Sequence, residues 1–362
     1  MNPISKSIAF FCVLATASAF NCIDQDNNPV DWFIVYKIPQ IDHTDELIND
    51  GLGYIYMTSQ NTSWIPSDVS INSNESMLAL TLSGLNSSNY VLYNNEPPQE
   101  KASMLKGHTK GVVSFDSEEG FWLVHTVPEY PTLNSSEIPK NATKLGQMFV
   151  CLSLELATFD DIGYQLYYIQ PRVYAHYVDP KLQKKVPQLV KAARNMVINR
   201  GTFVSKKLIS TKNNETFISF GKFRRAGKEL YSDVLATMLK SNLLVESWPG
   251  SGKRLESQCN KKLFVENIEN IRMNESGSQF MTSMDLSNWA ITNSNSSIVC
   301  LGDLQQTRAH IHRSGGAICL KNKDVYENFQ NLILDSTVCE KVQPVQHKIK
   351  PPKPSNKQQN IN

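Results

Sequence analysis

Three features are missing from this 362-residue sequence, and each absence excludes a class of protein. After the first twenty residues no run of eighteen or more apolar residues occurs, so no transmembrane helix is predicted. No Cys-x-x-Cys pair occurs, which argues against a zinc or redox motif of that type. Neither sign of charge is in clear excess, because 36 basic residues face 34 acidic ones. A uniformly basic nucleic-acid binder is therefore excluded, and any such affinity must come from a local patch.

The first nineteen residues have the composition of a secretory signal peptide. Lys6 precedes an apolar core over 8–16, and the small residues Ala17 and Ala19 predict cleavage after Ala19. Because this core is too short to span a bilayer, we expect a soluble mature chain of about 340 residues. We expect it to be secreted, with an acidic organelle such as the lysosome as the alternative destination.

The remaining cysteines and the glycosylation sequons agree with a secretory route. Six cysteines follow the signal: Cys22, Cys151, Cys259, Cys300, Cys319 and Cys339. In an oxidising compartment they predict three disulfides, although six cysteines allow fifteen pairings. Eight Asn-x-Ser/Thr acceptors predict a heavily glycosylated surface: Asn61, Asn74, Asn86, Asn134, Asn141, Asn214, Asn274 and Asn295.

Two short segments carry candidate catalytic chemistry, and only one of them is complete. The first reads GHTKG over 107–111 and continues as VVSFD over 112–116 and GFWLVHTVP over 120–128. This stretch resembles the first active-site region of deoxyribonuclease II, a family of phospholipase D-like phosphodiesterases. The second segment reads DLSNW over 285–289, where that family has Asp-His-Ser-Lys-Trp. Leu286 and Asn288 therefore stand where the resemblance implies histidine and lysine, and they form a degenerate half-site.

The resemblance implies a metal-independent acid endonuclease that hydrolyses DNA through a phosphohistidine and needs no cofactor. Such a reaction needs a nucleophile on one side of phosphorus and an acid for the leaving oxygen on the other. Two imidazoles suit both roles because histidine titrates near mildly acidic pH. In a strand, residues two apart share a face, so His108 and Lys110 would present a ring and a cation to one phosphate. These two residues form the surviving half-site.

The second segment cannot perform the same chemistry. Leu286 has no proton to transfer, and Asn288 cannot offset charge on the phosphate oxygens. A missing acid or base costs roughly 10²-fold to 10⁴-fold in rate, and a missing electrostatic group roughly 10²-fold to 10³-fold more. The sequence therefore predicts an impaired or inactive copy, without deciding which family histidine is the nucleophile.

Two further histidines, His310 and His312, are candidate substitutes for the missing one, and a third, His125, is expected to be structural. If 308–313 forms a strand, His310 and His312 share a face and could serve one ligand, but an exposed loop or strand edge is the commoner structure for such a segment. Two histidines alone lack the ligands of a structural zinc site, so no metal is predicted. His125 alternates with apolar residues, and we expect it to be a partly buried structural histidine.

Three basic clusters are candidates for non-sequence-specific contact with DNA. For each cluster taken alone, a solvated helix face or loop is the commoner explanation. The clusters are Lys181, Lys184, Lys185, Lys191 and Arg194; Lys206 and Lys207; and Lys222, Arg224, Arg225 and Lys228.

Hydrophobic periodicity predicts a mixed, sheet-rich α/β fold. Strands are expected over 31–39, 147–153, 217–223 and 243–248, and hairpins over 112–127 and 289–301. Helices are expected over 186–198, 230–239 and 324–334. The resemblance implies a phospholipase D-like domain over 20–340, whose related halves, roughly 20–165 and 166–340, share one active-site cleft. It also implies the disulfides Cys22–Cys151, Cys259–Cys339 and Cys300–Cys319. Residues 341–362 have the composition of a disordered tail.

Three functions are compatible with these features. The first is a secreted deoxyribonuclease II-like protein that has lost catalysis and still holds DNA or another polyanion. The second is an acid endonuclease that remains active through a substitute residue or across a homodimer. The third is a secreted interaction protein that reuses a nuclease fold, because fold and function separate easily.

Overall fold

The computed structural model describes residues 20–196, 202–248, 252–294 and 296–339, and two large β-sheets dominate it. The predicted signal peptide over 1–19, the predicted tail over 341–362 and the sequon residue Asn295 lie outside the described residues. No helix in these described ranges combines the length and the apolar composition that a bilayer crossing requires.

The first half of the chain supplies a short two-stranded sheet and a large eight-stranded one. The strands are β1 (Cys22–Ile23), β2 (Pro29–Val30), β3 (Trp32–Lys37), β4 (Tyr54–Thr58), β5 (Ile65–Pro66), β6 (Asn89–Asn94), β7 (Lys110–Phe115), β8 (Glu119–His125), β9 (Gln147–Glu155) and β10 (Val173–Tyr177). β1 pairs with β2, and the large sheet has the order β10-β6-β7-β8-β9-β3-β4-β5.

The second half of the chain forms the other large sheet. Its strands are β11 (Val204–Ser210), β12 (Thr216–Lys222), β13 (Leu243–Glu246), β14 (Val265–Met273), β15 (Ser278–Met281), β16 (Trp289–Thr292), β17 (Ile298–Gly302), β18 (Gly315–Lys321) and β19 (Ile333–Ser336). Their order is β11-β12-β18-β17-β16-β13-β14-β15, and β19 pairs with β14. The chain crosses from the first sheet to the second between β10 and β11.

The helices are short and connect or cover the strands. They are α1 (Glu46–Asn49), α2 (Met77–Leu82), α3 (Phe159–Ile169), α4 (Pro187–Ala193), α5 (Ala236–Leu239), α6 (Arg308–Ile311) and α7 (Lys323–Asn331). A π-helical segment over Leu230–Leu235 leads directly into α5.

The two large sheets repeat one strand order. Adjacent strands run β6-β7-β8-β9-β3 in the first sheet and β13-β16-β17-β18-β12 in the second, and the chain visits the equivalent strands in the same sequence. In both halves a helix follows, α3 after β9 and α7 after β18. The first motif segment leads into β7 and the second into β16, so the two segments occupy equivalent places in the repeat.

Apolar residues of both sheets form one shared core between them. On β3, Trp32, Ile34 and Tyr36 face this core, whereas Phe33 and Val35 face an outer apolar layer. This alternation arises because side chains two apart in a strand share a face. Residues from the second sheet, including Phe217 and Ile291, pack in the same core. The arrangement is a sheet-rich α/β sandwich, as predicted.

Most predicted elements are present, and two expectations were wrong. The hairpins β7–β8 and β16–β17 form as expected, and the three disulfides have the pairing that the resemblance implied. The last helix ends at Asn331, and Ile333 begins β19, because β14 offers that segment a strand partner. The segment 308–313, for which a strand and an exposed loop or strand edge were the alternatives, instead begins with the short helix α6, whose first turn the Thr307 side chain caps.

Candidate functional site

One large cleft collects residues of both motif segments. Its volume is about 1090 Å³, and His108, Lys110, Leu286 and Asn288 all line it. We call His108 and Lys110 the His108 wall, and Leu286 and Asn288 the Leu286 wall. Positions 108 and 286 therefore share one site, as the resemblance implied.

The backbone and ring of His108 are held by residues from the other half of the chain. Its N–H donates to Ser314 O at 2.9 Å, and its Nδ1 lies 2.8 Å from Asp303 O. Because a carbonyl oxygen can only accept, Nδ1 carries the proton and Nε2 keeps its lone pair. Hydrogen bonding thus selects the tautomer in which Nε2 can act as a base or nucleophile.

Burial holds the pKa of His108 well below its usual value, and the nearby charge of Lys110 lowers it further. Contributions of the same sign come from His310 and Arg313. Both effects favour the neutral form of His108. A neutral ring surrounded by cations suits a nucleophile or base that must approach an anion.

Lys110 is buried beside His108 with its ammonium group held by two neighbours. Lys110 Nζ donates to Asn95 Oδ1 at 2.8 Å and lies 3.4 Å from Glu96 Oε1. Burial lowers the pKa of Lys110, and Glu96 opposes that shift. Arg313, whose pKa burial also lowers, lines the same cleft. The His108 wall can therefore bind a phosphate through fixed cations.

The Leu286 wall has an equivalent backbone and different side chains. Leu286 N–H donates to Gly146 O at 3.0 Å, which matches the bond from His108 to Ser314 across the repeat. Asn288 Oδ1 accepts from Ser247 Oγ at 2.9 Å, and its Nδ2 donates to Leu286 O at 3.1 Å. Asn288 has φ 50, a left-handed conformation that asparagine tolerates better than most residues. This wall presents no cation and no ionisable group at the two motif positions.

A buried carboxylate pair lies directly behind the Leu286 wall. Ser287 Oγ lies 2.9 Å from Glu246 Oε2 and 2.8 Å from Asp285 Oδ2, and Tyr36 OH donates to Asp285 Oδ2. Burial raises the pKa of Asp285 to about 6. Burial and the charge of Asp285 raise the pKa of Glu246 well above its usual value. The pair holds a proton at acidic pH and shapes the backbone of 285–288.

His310 lies against His108, whereas His312 does not join it. The two ring centroids of His108 and His310 are 4.8 Å apart. His310 Nδ1 lies 3.1 Å from Gln305 O, so its Nε2 is also left as an acceptor, and burial lowers its pKa to about 4. His312 caps α6 and is exposed. Within the described ranges, no three His, Cys, Asp or Glu side chains converge as a metal site.

His125 is buried at the edge of the cleft, at 3% exposure. Its ring stacks edge-on against Tyr130, with centroids 5.1 Å apart, and it also packs near Phe149. Burial holds its pKa well below the usual value. His125 is therefore fully buried and packed against aromatic rings, whereas the alternating sequence pattern led us to expect partial burial.

The basic clusters differ in how accessible they are. Lys222 is fully buried and donates to three backbone carbonyls, so its inclusion among the DNA-contacting candidates was wrong. Lys207 forms an ion pair with Asp161. The exposed members include Lys181, Lys184, Lys185, Arg194, Lys206, Arg224, Arg225 and Lys228.

Several residues around the His108 wall were not anticipated from sequence. Asp303 and Ser314 hold His108, Asn95 and Glu96 hold Lys110, and Arg313 lies beside the ring. No local sequence pattern indicates these contacts, because the strand order that brings the residues together is evident only in the structure. Ser314 corresponds to Gly146 in the repeat of strand order, since each accepts the N–H of a motif residue.

Two sheets with one repeated strand order, a shared cleft and a histidine–lysine pair beside it define a phospholipase D-like protein. A family model described as deoxyribonuclease II matches residues 21–339, so the chain belongs to the deoxyribonuclease II family. The resemblance drawn from the two motif segments is therefore confirmed.

Individual relatives cover nearly the whole chain. The chain is 35% identical over 339 residues to plancitoxin-1 of Acanthaster planci, covering 90% of this chain and 94% of the relative. It is 34% identical over 335 residues to deoxyribonuclease-2-alpha of Rattus norvegicus, with coverage of 89% and 95%. It is 33% identical over 353 residues to deoxyribonuclease-2-alpha of Bos taurus, with coverage of 94% and 96%.

Proposed function

We propose that this protein is a secreted, glycosylated member of the deoxyribonuclease II family that binds the DNA backbone in its cleft and has lost nuclease turnover. The proposal rests on the chemical difference between the two walls of the cleft. One wall has His108 and Lys110, and the equivalent positions of the other wall have Leu286 and Asn288.

The chemistry of phosphodiester cleavage explains the expected loss. A neutral His108 with Lys110 and Arg313 nearby can receive a phosphate and offset its charge. The leaving oxygen also needs a proton from the opposite side of phosphorus, and Leu286 has none to give. Without that transfer, the rate falls by roughly 10²-fold to 10⁴-fold. Asn288 adds a second deficit because it carries no charge to stabilise the transition state.

The surface supports the glycosylated, secreted part of the proposal. The seven sequon asparagines within the described ranges are all exposed: Asn61, Asn74, Asn86, Asn134, Asn141, Asn214 and Asn274. Expression in animal cells, followed by glycosidase treatment, tests this directly. We expect protein in the medium whose mass falls on deglycosylation. Protein confined to the lysosomal fraction would support the alternative destination, and an unchanged mass would contradict glycosylation.

Binding and cleavage of plasmid DNA test the function. At pH 5 in a chelator, we expect wild-type protein to bind DNA in low salt without nicking it. Lys110→Met should weaken this binding, while the exposed control Lys262→Met, outside the candidate basic clusters, should weaken it less. Nicking by wild type that His108→Ala abolishes would contradict the proposal. No DNA affinity even in low salt would favour an interaction protein on a nuclease fold.

A second candidate function is an acid endonuclease that uses His310 in place of the missing histidine. The contact between the His108 and His310 rings favours it, because two imidazoles then reach one ligand. However, His310 lies beside His108 on the same wall, whereas in-line displacement needs the acid on the far side of phosphorus. Nicking by wild type that His310→Gln removes would establish this candidate and displace the first.

A further inference from the structure

We propose a second nucleic-acid contact surface beside the cleft, formed by Lys106, Arg224, Met104 and Leu105. We infer that it receives an unpaired stretch of the same strand whose phosphate lies at His108. This inference rests on the proposed DNA binding and extends it, because it names the strand state that the cleft prefers.

The apolar part of this surface is a fixed loop with two large exposed side chains. Met104 is 71% exposed and Leu105 is 78% exposed. Ser103 N–H donates to Asn95 O at 2.7 Å, and Arg313 donates to the backbone oxygens of Ser103 and Lys106. Hydrogen bonds therefore fix the loop on both sides of Met104 and Leu105, and the two side chains are exposed on an ordered backbone.

The same bonds make this loop continuous with the phosphate-binding wall. Arg313 lines the cleft together with His108, and its guanidinium also donates to the backbone of the loop, so it connects the loop to the cleft. Met104 also lines the cleft, and its Sδ lies 3.7 Å from Arg313 Nη1. A strand held at His108 would therefore meet Met104 and Leu105 as it leaves the cleft.

Cations surround the short segment that connects the loop to His108. Gly107 N–H donates to Gln170 O at 2.7 Å, and Arg172 follows Gln170 by two residues. Arg224 N–H donates to Ser314 Oγ at 2.9 Å, and Ser314 O accepts from His108. Both arginines act electrostatically on Lys106, the residue that precedes Gly107.

The charges of this group are only partly neutralised. Arg172 forms an ion pair with Glu100. Lys106 Nζ donates to the neutral Asn195 Oδ1 at 2.7 Å, and in the described part of the chain neither Lys106 nor Arg224 pairs with a carboxylate. Burial lowers the pKa of Lys106, and Arg172 and Arg224 lower it further. An anion bound here would relieve this repulsion.

An unpaired nucleic-acid strand carries both the negative charge and the apolar faces that complement this surface. Its phosphates match Lys106 and Arg224, and its exposed base faces offer apolar contact to Met104 and Leu105. Base faces are inaccessible in an intact duplex, whose surface is phosphate and groove edge. An anionic membrane also combines charge with an apolar layer, but it cannot enter the cleft that Arg313 joins to the loop. The observations therefore favour an unpaired strand.

The charge part is tested by salt titration with a fluorescent single-stranded oligonucleotide. Lys106→Met/Arg224→Met should reduce the slope of log affinity against log salt by about 1.4, at roughly 0.7 for each lost phosphate contact. The matched control Lys262→Met/Lys321→Met removes two exposed charges outside the candidate basic clusters and should leave the slope nearly unchanged. An unchanged slope in the first variant would overturn the inference and leave the proposed function standing.

The apolar part is tested with normal and abasic oligonucleotides. Met104→Ser/Leu105→Ser should weaken binding of the normal strand by about fivefold or more and leave abasic binding unchanged. Met281→Ser, at a site 58% exposed on β15, is the control. Equal losses on both strands, or stronger wild-type binding to anionic vesicles than to the oligonucleotide, would overturn the inference. No wild-type affinity for any DNA would overturn the proposed function itself.

Discussion

His108 and Leu286 occupy equivalent positions on the two walls of one cleft. Each donates its backbone N–H to a carbonyl in the opposite half, His108 to Ser314 at 2.9 Å and Leu286 to Gly146 at 3.0 Å. The architecture around position 286 therefore resembles that around 108, although the side chains differ.

The buried carboxylates behind the Leu286 wall make stability depend on pH. Burial raises the pKa of Asp285 to about 6 and that of Glu246 well above its usual value. The folded state thus binds these protons more tightly than the unfolded chain does, and this contribution is lost as pH rises through the folded-state values. The glutamine of Glu246→Gln cannot ionise. The free energy of unfolding of this variant, relative to that of wild type, should therefore rise by on the order of 1 kcal/mol from pH 5 to pH 8.

Urea denaturation at the two pH values measures this difference. Glu75→Gln, at an exposed site, is the control and should show no such trend. A Glu246→Gln advantage that stays the same at both pH values would contradict the prediction.

Lys222 stabilises the fold rather than binding a ligand. Its Nζ donates to His310 O, Ile311 O and Arg313 O at 3.0, 3.1 and 2.6 Å. Lys222→Met would leave three carbonyls without this donor, so we expect the free energy of unfolding to fall by about 2–4 kcal/mol. The exposed control Lys228→Met should change it by less than about 0.5 kcal/mol. Equal effects of the two substitutions would show that the buried bonds contribute nothing.

The disulfides should differ in their contribution to the free energy of unfolding, according to the length of the loop that each closes. Cys22–Cys151 spans 129 residues, whereas Cys300–Cys319 spans 19 and joins adjacent strands. A longer closed loop removes more entropy from the unfolded chain, so removing the first disulfide should cost roughly 1.7 kcal/mol more than removing the second. Thermal denaturation of the two double-alanine variants checks this order, and the reverse order would contradict it.

Local patterns in the sequence predicted much of the framework. Strands such as β3 and β9 were evident because they are apolar runs bounded by polar residues, and both of their faces are buried. The hairpins at both motif segments followed from strand–turn–strand spacing. The short helix α6 was not evident, since its four residues carry no periodicity and depend on the Thr307 cap.

Long-range contacts explain what the sequence could not provide. His310 reaches His108 only because residues 303–314 fold back across the cleft, and nothing in the spacing of 202 positions indicates that contact. From its sequence context, Lys222 is expected to be a surface cation in a basic cluster. Only the structure shows that it is buried and donates to three backbone carbonyls. Such roles are set by the packing of the two sheets and not by local residue type.

Restoring the Leu286 wall tests the central claim most directly. Plasmid nicking at pH 5 in a chelator would be compared for wild type, Leu286→His, and Leu286→His/Asn288→Lys, each with and without His108→Ala. If the framework is intact and only the chemical groups are missing, the double repair should nick at least about 100-fold faster than wild type, and only when His108 is present. Vigorous nicking by wild type, equal to that of the repaired protein, would contradict the account.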